Sequence, residues 1–307
     1  MAKNIAFVFP GQGAQYSGMG KDFYNQYEKA KQIYDYASEI CNIDVKKICF
    51  DSSDSRIHET KYTQIAIFTT SLAILECVHE MGVTSTVNAG LSLGEYTALA
   101  ASNVIDIKDL FLLVKKRGKY MQEAFPTGGA MAAVIGLSER EVVAICNQMN
   151  GNIYIANYNC PGQIVVTGEK AVVEASYEIF QKKGAKMLLP LNVSGPFHSP
   201  LLETAKKKLE ISLKDVQINN FIIPYVSNVN AKYINYSCDI KSLLSEQIVS
   251  SVKWQQSIKE MIRQGVDLFI EVGPGSTLTN LIRKIDPGVE VLNIQAVGDM
   301  KTLLKVN

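Results

Sequence analysis

The sequence lacks any apolar run of the roughly 18 residues that a membrane-spanning helix requires. Its N-terminus, MAKNIAFVFPGQG, has too short an apolar core for a signal peptide. We therefore expect a cytoplasmic protein with no membrane partner. The chain also lacks an excess of either charge, because 31 basic and 30 acidic residues nearly cancel. This balance gives no electrostatic footprint for nucleic acid, and we predict no such partner.

Cysteine and histidine are scarce, and their spacing excludes several kinds of site. No CxxC pair and no Cys/His cluster occurs, which argues against a zinc site or a disulfide framework. We expect no metal, and thiols that are reduced and mostly buried. The cysteines are Cys41, Cys49, Cys77, Cys146, Cys160 and Cys238. The histidines, which are the side chains suited to moving protons near neutral pH, are His58, His79 and His198.

The chain does have the length and apolar content of a sizeable α/β protein. Its 307 residues are 47% hydrophobic, enough to bury the core of one large domain or of two lobes. A strand, IAFVF, ends in a turn at residues 10–13, and a second strand at 83–89 leads into a helix from about residue 93. Such units are typical of α/β folds. The apolar stretch 62–82 predicts a buried helix, and further strands are predicted within 219–228 and 266–275.

Residues 126–192 have a different pattern of predicted strands and helices from the rest of the chain. They read as strand, helix, two hairpin strands, helix and strand, the βαββαβ order of the ferredoxin-like motif. The first of these helices opens with a capping box of Ser138 and Glu141. We therefore predict an α/β protein with two domains. Residues 1–125 and 193–307 form an α/β-hydrolase-like domain with a parallel sheet, and residues 126–192 form an inserted, ferredoxin-like small domain.

Ser92 stands at the centre of GLSLG, between a predicted strand and a predicted helix. This pattern fits a nucleophile elbow, in which small flanking residues allow a strained turn that pushes the serine oxygen outward. At a helix N-terminus the backbone amides, including that of Leu93, can stabilise an oxyanion on an attacked carbonyl. The alternative is a glycine-rich turn with a capping serine.

A serine nucleophile needs a base, and His198 is the best placed of the histidines. It lies in SGPFHSP, between two prolines whose rigidity suits an oriented base. A lone loop histidine can instead be structural or solvated. No acid stands out that would orient the imidazole as in an α/β-hydrolase, so a backbone carbonyl could hold the ring.

Arg117 interrupts the apolar stripe of a predicted helix. Leu113, Val114 and Met121 belong to that stripe at helical spacing. An inward guanidinium is costly unless it meets an anion, and its planar fork fits a carboxylate. The alternatives are an arginine that snorkels to solvent or one that pairs with a buried acid.

The N-terminal turn PGQGAQ matches neither of the glycine-rich phosphate-loop patterns. Nucleotide binding therefore has little support. A Gly-Gln-Gly turn at the end of a strand can aim the backbone N–H of Gln12 at an oxyanion, or it can be a simple tight turn.

Together these motifs resemble the bacterial malonyl-CoA:acyl carrier protein transacylases over nearly the whole chain. The matching stretches are FVFPGQGAQ, YTQIAIF, GLSLGEYTALAA, VKKRGKYMQEA, GAMAAVIG, ANYNCPGQIVVTG, VSGPFHSPLL, VSNV and EVGPGSTL. The resemblance implies Ser92 as nucleophile and His198 as base. It implies that Arg117 binds the malonyl carboxylate and that the amides of Gln12 and Leu93 form the oxyanion hole.

The resemblance also implies roles for residues that carry no signal of their own. The carbonyl of Gln247 would orient the catalytic histidine. Asn157 and Asn159 would line the cleft, although they could equally be turn formers. Phe197 matches the pattern associated with malonyl rather than methylmalonyl, because its ring would crowd an α-methyl group. Leu91 departs from the family, in which many members have histidine, and we expect a tuned rate.

The reaction implied is a ping-pong transfer of malonyl from malonyl-CoA to acyl carrier protein through a malonyl-serine, with no cofactor. We also expect the protein to be a monomer. Three alternatives remain open: an acyltransferase that loads polyketide synthase carriers, a serine esterase or thioesterase, and a non-catalytic carrier-binding module. Lys115, Lys116 and Lys206, Lys207 and Lys208 are candidate docking charges for an acidic carrier, or merely solvated helix faces.

Overall fold

Two β-sheets organise the chain in the computed structural model, which describes residues 3–193, 195–236 and 239–306. The described strands are β1 (Ile5–Phe9), β2 (Val87–Gly90), β3 (Gly129–Ile135), β4 (Ile153–Cys160), β5 (Gln163–Glu169), β6 (Met187–Pro190), β7 (Tyr225–Val226), β8 (Tyr233–Ile234), β9 (Leu268–Val272) and β10 (Glu290–Ile294). The described α-helices are α1 (Lys21–Gln26), α2 (Glu28–Cys41), α3 (Val45–Phe50), α4 (Thr60–Glu80), α5 (Gly94–Ala101), α6 (Ile107–Ala124), α7 (Glu139–Gln148), α8 (Lys170–Lys182), α9 (Glu203–Leu213), α10 (Ile240–Glu246), α11 (Trp254–Arg263) and α12 (Thr277–Ile285). Short 3₁₀ helices span Ser55–His58, Pro200–Leu202 and Val297–Lys305.

The larger sheet has the strand order β10-β9-β1-β2-β7-β8. Its strands pair in parallel except at the β8 edge, where β8 runs antiparallel to β7. Strands β1 and β9 are buried along their whole length, as expected where helices cover both faces of a parallel sheet. Because β1, β2 and β9 run in the same direction, the turns that follow them meet at one edge of the sheet. That edge is where ligands bind in open α/β sheets.

Helix α4 supplies much of the core beside this sheet. Most of its residues are buried, and it is apolar on all sides rather than amphipathic, as the sequence predicts for 62–82. It packs against α2 and α6, which also contact each other, and α6 packs in turn against α9. Helix α6 therefore lies between α4 and α9, and the inner face of α6 carries Arg117 into the protein interior.

The smaller sheet is antiparallel, with the order β4-β5-β3-β6. Helices α7 and α8 pack on one face over Ala132, Val134 and Val166, and α7 opens with the predicted capping box. The other face turns toward the larger sheet, and β4 is attached there by backbone hydrogen bonds. The N–H of Tyr158 donates to the carbonyl of Val252 at 2.9 Å, and Val252 donates back to Ala156 at 2.8 Å.

The α/β class predicted from the sequence is confirmed, but several strands are shorter than expected. The strand predicted within 219–228 is reduced to β7, which pairs with β2 over two residues only. Pro224 has no N–H to donate to a ladder, and Ile222, two residues earlier, is 98% exposed. The final strand of the small lobe is limited to β6, while β8 and β10 were not predicted.

The prediction of buried, unpaired thiols is confirmed for the cysteines that the structure describes, while Cys238 lies outside them. Burial raises the pKa of the Cys49 thiol to about 12, so it stays protonated at neutral pH. Within the described ranges, no helix is long and apolar enough to cross a membrane.

Candidate active site

Ser92 occupies a strained turn between β2 and α5. Its φ of 54° lies in the left-handed region, which is uncommon for a residue other than glycine. The two glycines of the motif allow the close packing around it. A Cβ on Gly90 would lie 1.9 Å from the backbone of Gly94, and one on Gly94 would lie 2.0 Å from the carbonyl oxygen of Phe9. The Gly-x-Ser-x-Gly spacing is therefore a steric requirement of a turn that presents the serine hydroxyl at the sheet edge.

His198 contacts the serine from the opposite wall of the cleft. Its Nε2 lies 2.7 Å from Ser92 Oγ, and its Nδ1 lies 2.9 Å from the carbonyl oxygen of Gln247. Because a carbonyl can only accept, we assign the ring proton to Nδ1, which leaves Nε2 free to accept from the hydroxyl. Burial, and then the nearby charge of Arg117, lower the pKa of His198 to about 4. The imidazole is thus a neutral acceptor throughout the physiological range.

The guanidinium of Arg117 is buried beside the serine. Its Nη2 donates to Ser92 Oγ at 3.1 Å and to Gln247 Oε1 at 2.9 Å, and its Nη1 donates to Gln64 Oε1 at 2.8 Å. The group lies over the ring of Tyr96, 5.3 Å from its centroid, and only 1% of the residue is exposed. The alternative that this side chain snorkels to solvent is therefore wrong. Among the described residues its hydrogen-bond acceptors are two amides and a hydroxyl, with no carboxylate, and its Nε has no acceptor.

Two backbone amides beside the serine are available as donors. Gln12 follows β1 and Leu93 follows Ser92, and neither N–H has an acceptor among the described residues. A Cβ on Gly11 would lie 2.3 Å from the carbonyl oxygen of Leu91, so the two turns approach closely. Free N–H groups at such a position can stabilise an oxyanion. The assignment of these two amides as an oxyanion hole stays a prediction.

A buried polar network under the serine was missed by the sequence analysis. The amide oxygen of Asn228 accepts from the N–H of Ser92 at 2.7 Å, and its Nδ2 donates to the carbonyl of Gly90 at 2.7 Å. Gln247 Nε2 donates to the carbonyl of Ser92 at 3.0 Å and to Glu95 Oε2 at 2.5 Å. Glu95 could have been suspected as an acid within the apolar run GEYTALA, whereas Asn228 offers no sequence signal.

The serine opens into a cleft of about 240 Å³ between the two sheets. Lining residues from the large lobe include Gln12, Gln64, Leu91, Ser92, Arg117, Phe197, His198 and Leu281. Those from the small lobe include Met131, Ala133, Asn157, Asn159, Gln163 and Val165. Asn157 and Asn159 lie within strand β4, so they are not turn formers, and Oδ1 of Asn159 is buried with no partner among the described residues. The structure thus gathers the predicted site residues around one cleft, with Gln247 and Leu93 directly behind the serine.

This geometry defines a serine-histidine site, and comparison with known proteins agrees. A family model described as "Acyl transferase domain" matches residues 6–302, and the chain belongs to this acyl transferase family. It is 41% identical over 303 residues to the malonyl CoA-acyl carrier protein transacylase of Bacillus subtilis (strain 168), covering 97% of this chain and 95% of the relative.

Solved structures give the same result. The malonyl CoA-acyl carrier protein transacylase of Clostridium perfringens superimposes with a TM-score of 0.94 at 40% identity, covering 98% of this chain and 96% of that one. A malonyl-transacylase solved in complex with its type II PKS acyl-carrier protein has a TM-score of 0.96 at 34% identity, covering 99% of this chain and all of the other.

Proposed function

We propose that this protein transfers the malonyl group of malonyl-CoA to the phosphopantetheine thiol of acyl carrier protein through a malonyl ester of Ser92. One observation carries the proposal: Ser92 Oγ is shared by a neutral imidazole and a buried guanidinium. The first can activate the hydroxyl, and the second selects an acyl group that ends in a carboxylate. The names of the relatives support the same substrates.

In the first half-reaction His198 Nε2 accepts the hydroxyl proton while Ser92 Oγ attacks the thioester carbonyl. The negative charge on the carbonyl oxygen falls between the amides of Gln12 and Leu93. Collapse of this intermediate breaks the C–S bond, and the CoA thiolate leaves with the proton held by His198. The carbonyl of Gln247 keeps the ring in the orientation that both proton transfers need.

Formation of the ester frees hydrogen-bond donors of Arg117 to bind a carboxylate. In the free enzyme its Nη2 donates to Ser92 Oγ, and its Nε has no acceptor. An ester oxygen accepts a hydrogen bond more weakly than a hydroxyl does, so acylation releases Nη2 toward the malonyl carboxylate. An acetyl group would leave this buried cation unpaired, which is the basis of selection.

The second half-reaction reverses the first. The phosphopantetheine thiol gives its proton to His198, and the sulfur attacks the ester carbonyl of the malonyl-serine. Ser92 leaves with the proton returned from His198, and the carrier departs with the malonyl group. The reaction requires these two substrates and no further cofactor.

Other cleft residues would tune which substrates enter. The buried ring of Phe197 sits against Gly195, where an added Cβ would lie 3.0 Å from it, so the ring is held in place to crowd an α-methyl group. Asn157 and Asn159 are positioned on β4 to meet polar groups of the pantetheine arm. Leu91 replaces a family histidine and would alter the rate rather than the reaction.

We further propose the finer architectural assignment. The βαββαβ order and the β4-β5-β3-β6 sheet support a ferredoxin-like small domain at 126–192. The mostly parallel sheet with the Ser92 turn supports an α/β-hydrolase-like domain from 1–125 and 193–307. We also keep the predictions of a cytoplasmic monomer that binds neither nucleic acid nor membrane.

The carrier docking surface proposed from lysine positions is partly occupied by internal contacts. Lys115 donates to the carbonyl of Cys41, Lys206 pairs with Glu246, and Lys208 lies 3.5 Å from Glu123. An acidic carrier would compete with these contacts, which leaves Lys116 and Lys207 as the more available of the candidate charges.

The proposal is tested by mixing the enzyme with malonyl-CoA and measuring its intact mass before and after adding holo carrier protein. We expect one malonyl group on the wild type, none on Ser92→Ala, and discharge only when carrier is present. Continued release of CoA without carrier, beyond the one equivalent that accompanies formation of the malonyl-serine, would indicate an esterase or thioesterase. Absence of any adduct would indicate a non-catalytic carrier-binding module. Fatty acid and polyketide carriers assayed side by side would decide between the two partners.

A further inference from the structure

Glu95 and Glu271 are the carboxyl side chains with no exposed surface in the part of the chain that the structure describes. Glu271 has an evident structural use, because it accepts the N–H groups of Leu278 and Thr279 at the start of α12 at 3.0 and 2.8 Å. Glu95 accepts from Gln247 and from the N–H of Asn228, but its Oε1 has no partner among the described residues. A buried acid left half-satisfied under a nucleophile suggests a use beyond packing.

One amide group joins Glu95 to Arg117. Gln247 Nε2 donates to Glu95 Oε2 at 2.5 Å, and Gln247 Oε1 accepts from Arg117 Nη2 at 2.9 Å. An arginine can only donate and an ionised carboxylate can only accept, so the two charges together fix the orientation of the amide between them. The negative charge of Glu95 is therefore the nearest buried compensation for the cation that faces the cleft.

The charge on Glu95 is poised to change near neutral pH. Burial raises the pKa of its carboxyl to about 7, against the lowering effects of hydrogen bonds from Gln247 and Asn228 and of the Arg117 charge. Apart from Arg117, which is charged, the titratable groups beside it stay neutral in this range. Burial raises the pKa of Tyr96 to about 12 and that of Tyr225 well above its usual value, and the pKa of His198 is about 4.

We propose that Glu95 is a specificity-determining residue: it is the counter-anion of Arg117 in the free enzyme and takes up a proton when the malonyl carboxylate reaches the guanidinium. The substrate carboxylate brings one negative charge into the buried site, and one proton from solvent neutralises Glu95, so the net buried charge is unchanged. An acetyl group brings no charge and requires no proton. This inference rests on the proposed function, because it assumes that Arg117 receives the carboxylate.

The linkage has a definite sign. Above a pH of about 7 Glu95 is ionised in the free enzyme. Malonyl binding then requires the uptake of a proton, so it becomes weaker as the proton concentration falls. If the bound state keeps Glu95 protonated, malonyl affinity relative to acetyl affinity falls about fivefold from pH 7 to pH 8. Glu95→Gln has the same shape and is neutral at every pH. At pH 8 the Glu95→Gln enzyme should bind malonyl-CoA more tightly than the enzyme with Glu95 does. Its ratio of malonyl affinity to acetyl affinity should not change with pH.

The experiment compares Kd for malonyl-CoA and acetyl-CoA between pH 6 and pH 9 in a Ser92→Ala enzyme, which cannot turn over. The ratio of the two values cancels titration of the CoA phosphates. Calorimetry in two buffers with different ionisation enthalpies measures the proton uptake directly. We expect the slope and the uptake in Ser92→Ala and neither in Ser92→Ala/Glu95→Gln.

Glu271→Gln in the same background is the matched control, because it also neutralises a fully buried acid. This substitution should lower the melting temperature and leave the pH dependence of the malonyl-to-acetyl affinity ratio unchanged. A slope that survives Glu95→Gln, or that is absent from Ser92→Ala although malonyl-CoA is strongly preferred, would overturn the inference alone. Equal affinity for malonyl-CoA and acetyl-CoA at every pH would instead overturn the proposed function.

Discussion

Replacing Arg117 by alanine should remove the preference for malonyl-CoA while affecting acetyl transfer far less. The guanidinium can give a carboxylate two charge-assisted hydrogen bonds, each worth about 1.5–3 kcal/mol. Their loss amounts to about 3–6 kcal/mol, which lowers kcat/KM for malonyl-CoA roughly a hundred-fold to ten-thousand-fold. Acetyl transfer makes no such bonds. The truncation also leaves Gln64 Oε1 and Gln247 Oε1 without their donor, so some loss common to both substrates is expected.

The assay measures kcat/KM for both donors by mass spectrometry of the acylated carrier protein, with the melting temperature recorded for each variant. Lys119→Ala, two residues later on the exposed face of α6, is the matched control and should leave both rates unchanged. Arg117→Lys keeps a charge but loses the planar fork, so its malonyl rate should lie between those of the wild type and Arg117→Ala. Equal losses for malonyl-CoA and acetyl-CoA in a folded Arg117→Ala protein would refute the assignment.

Two further predictions follow from the same geometry. The kcat/KM for acetyl-CoA should fall as pH drops through about 4, because protonated His198 cannot accept the hydroxyl proton. In Arg117→Ala this fall should occur at a higher pH, because the cation that lowers the pKa of His198 is gone. A pH-rate profile that is the same in the variant would contradict this electrostatic cause. Gly94→Ala should prevent stable folding or strongly lower the melting temperature, because its Cβ would lie 2.0 Å from the carbonyl oxygen of Phe9. Gly82→Ala is the control. A Cβ there meets no atom within 4 Å, so this substitution should cost only the backbone strain of the positive φ.

Features that depend on neighbouring residues could be predicted from the sequence. The Gly-x-Ser-x-Gly turn needs only its own backbone and the strand and helix beside it, and the capping box of α7 needs only Ser138 and Glu141. The inward position of Arg117 also follows from helical periodicity. Each of these signals lies within a few residues, where the chain geometry is already determined by local conformational preferences.

The sequence by itself therefore determined the class of fold, the elbow and an arginine aimed inward. Only the tertiary structure decided what those groups touch. Parallel pairing of β1, β2 and β9 brings Gln12 and Ser92 to one edge, and the return of the chain after the small lobe places His198 Nε2 2.7 Å from the serine. Gln247, which joins Arg117 to Glu95, lies 130 residues from the first and 152 from the second in the sequence. Such contacts arise from sheet order and burial, which no local pattern encodes, because side chains distant in sequence meet only when the core is packed.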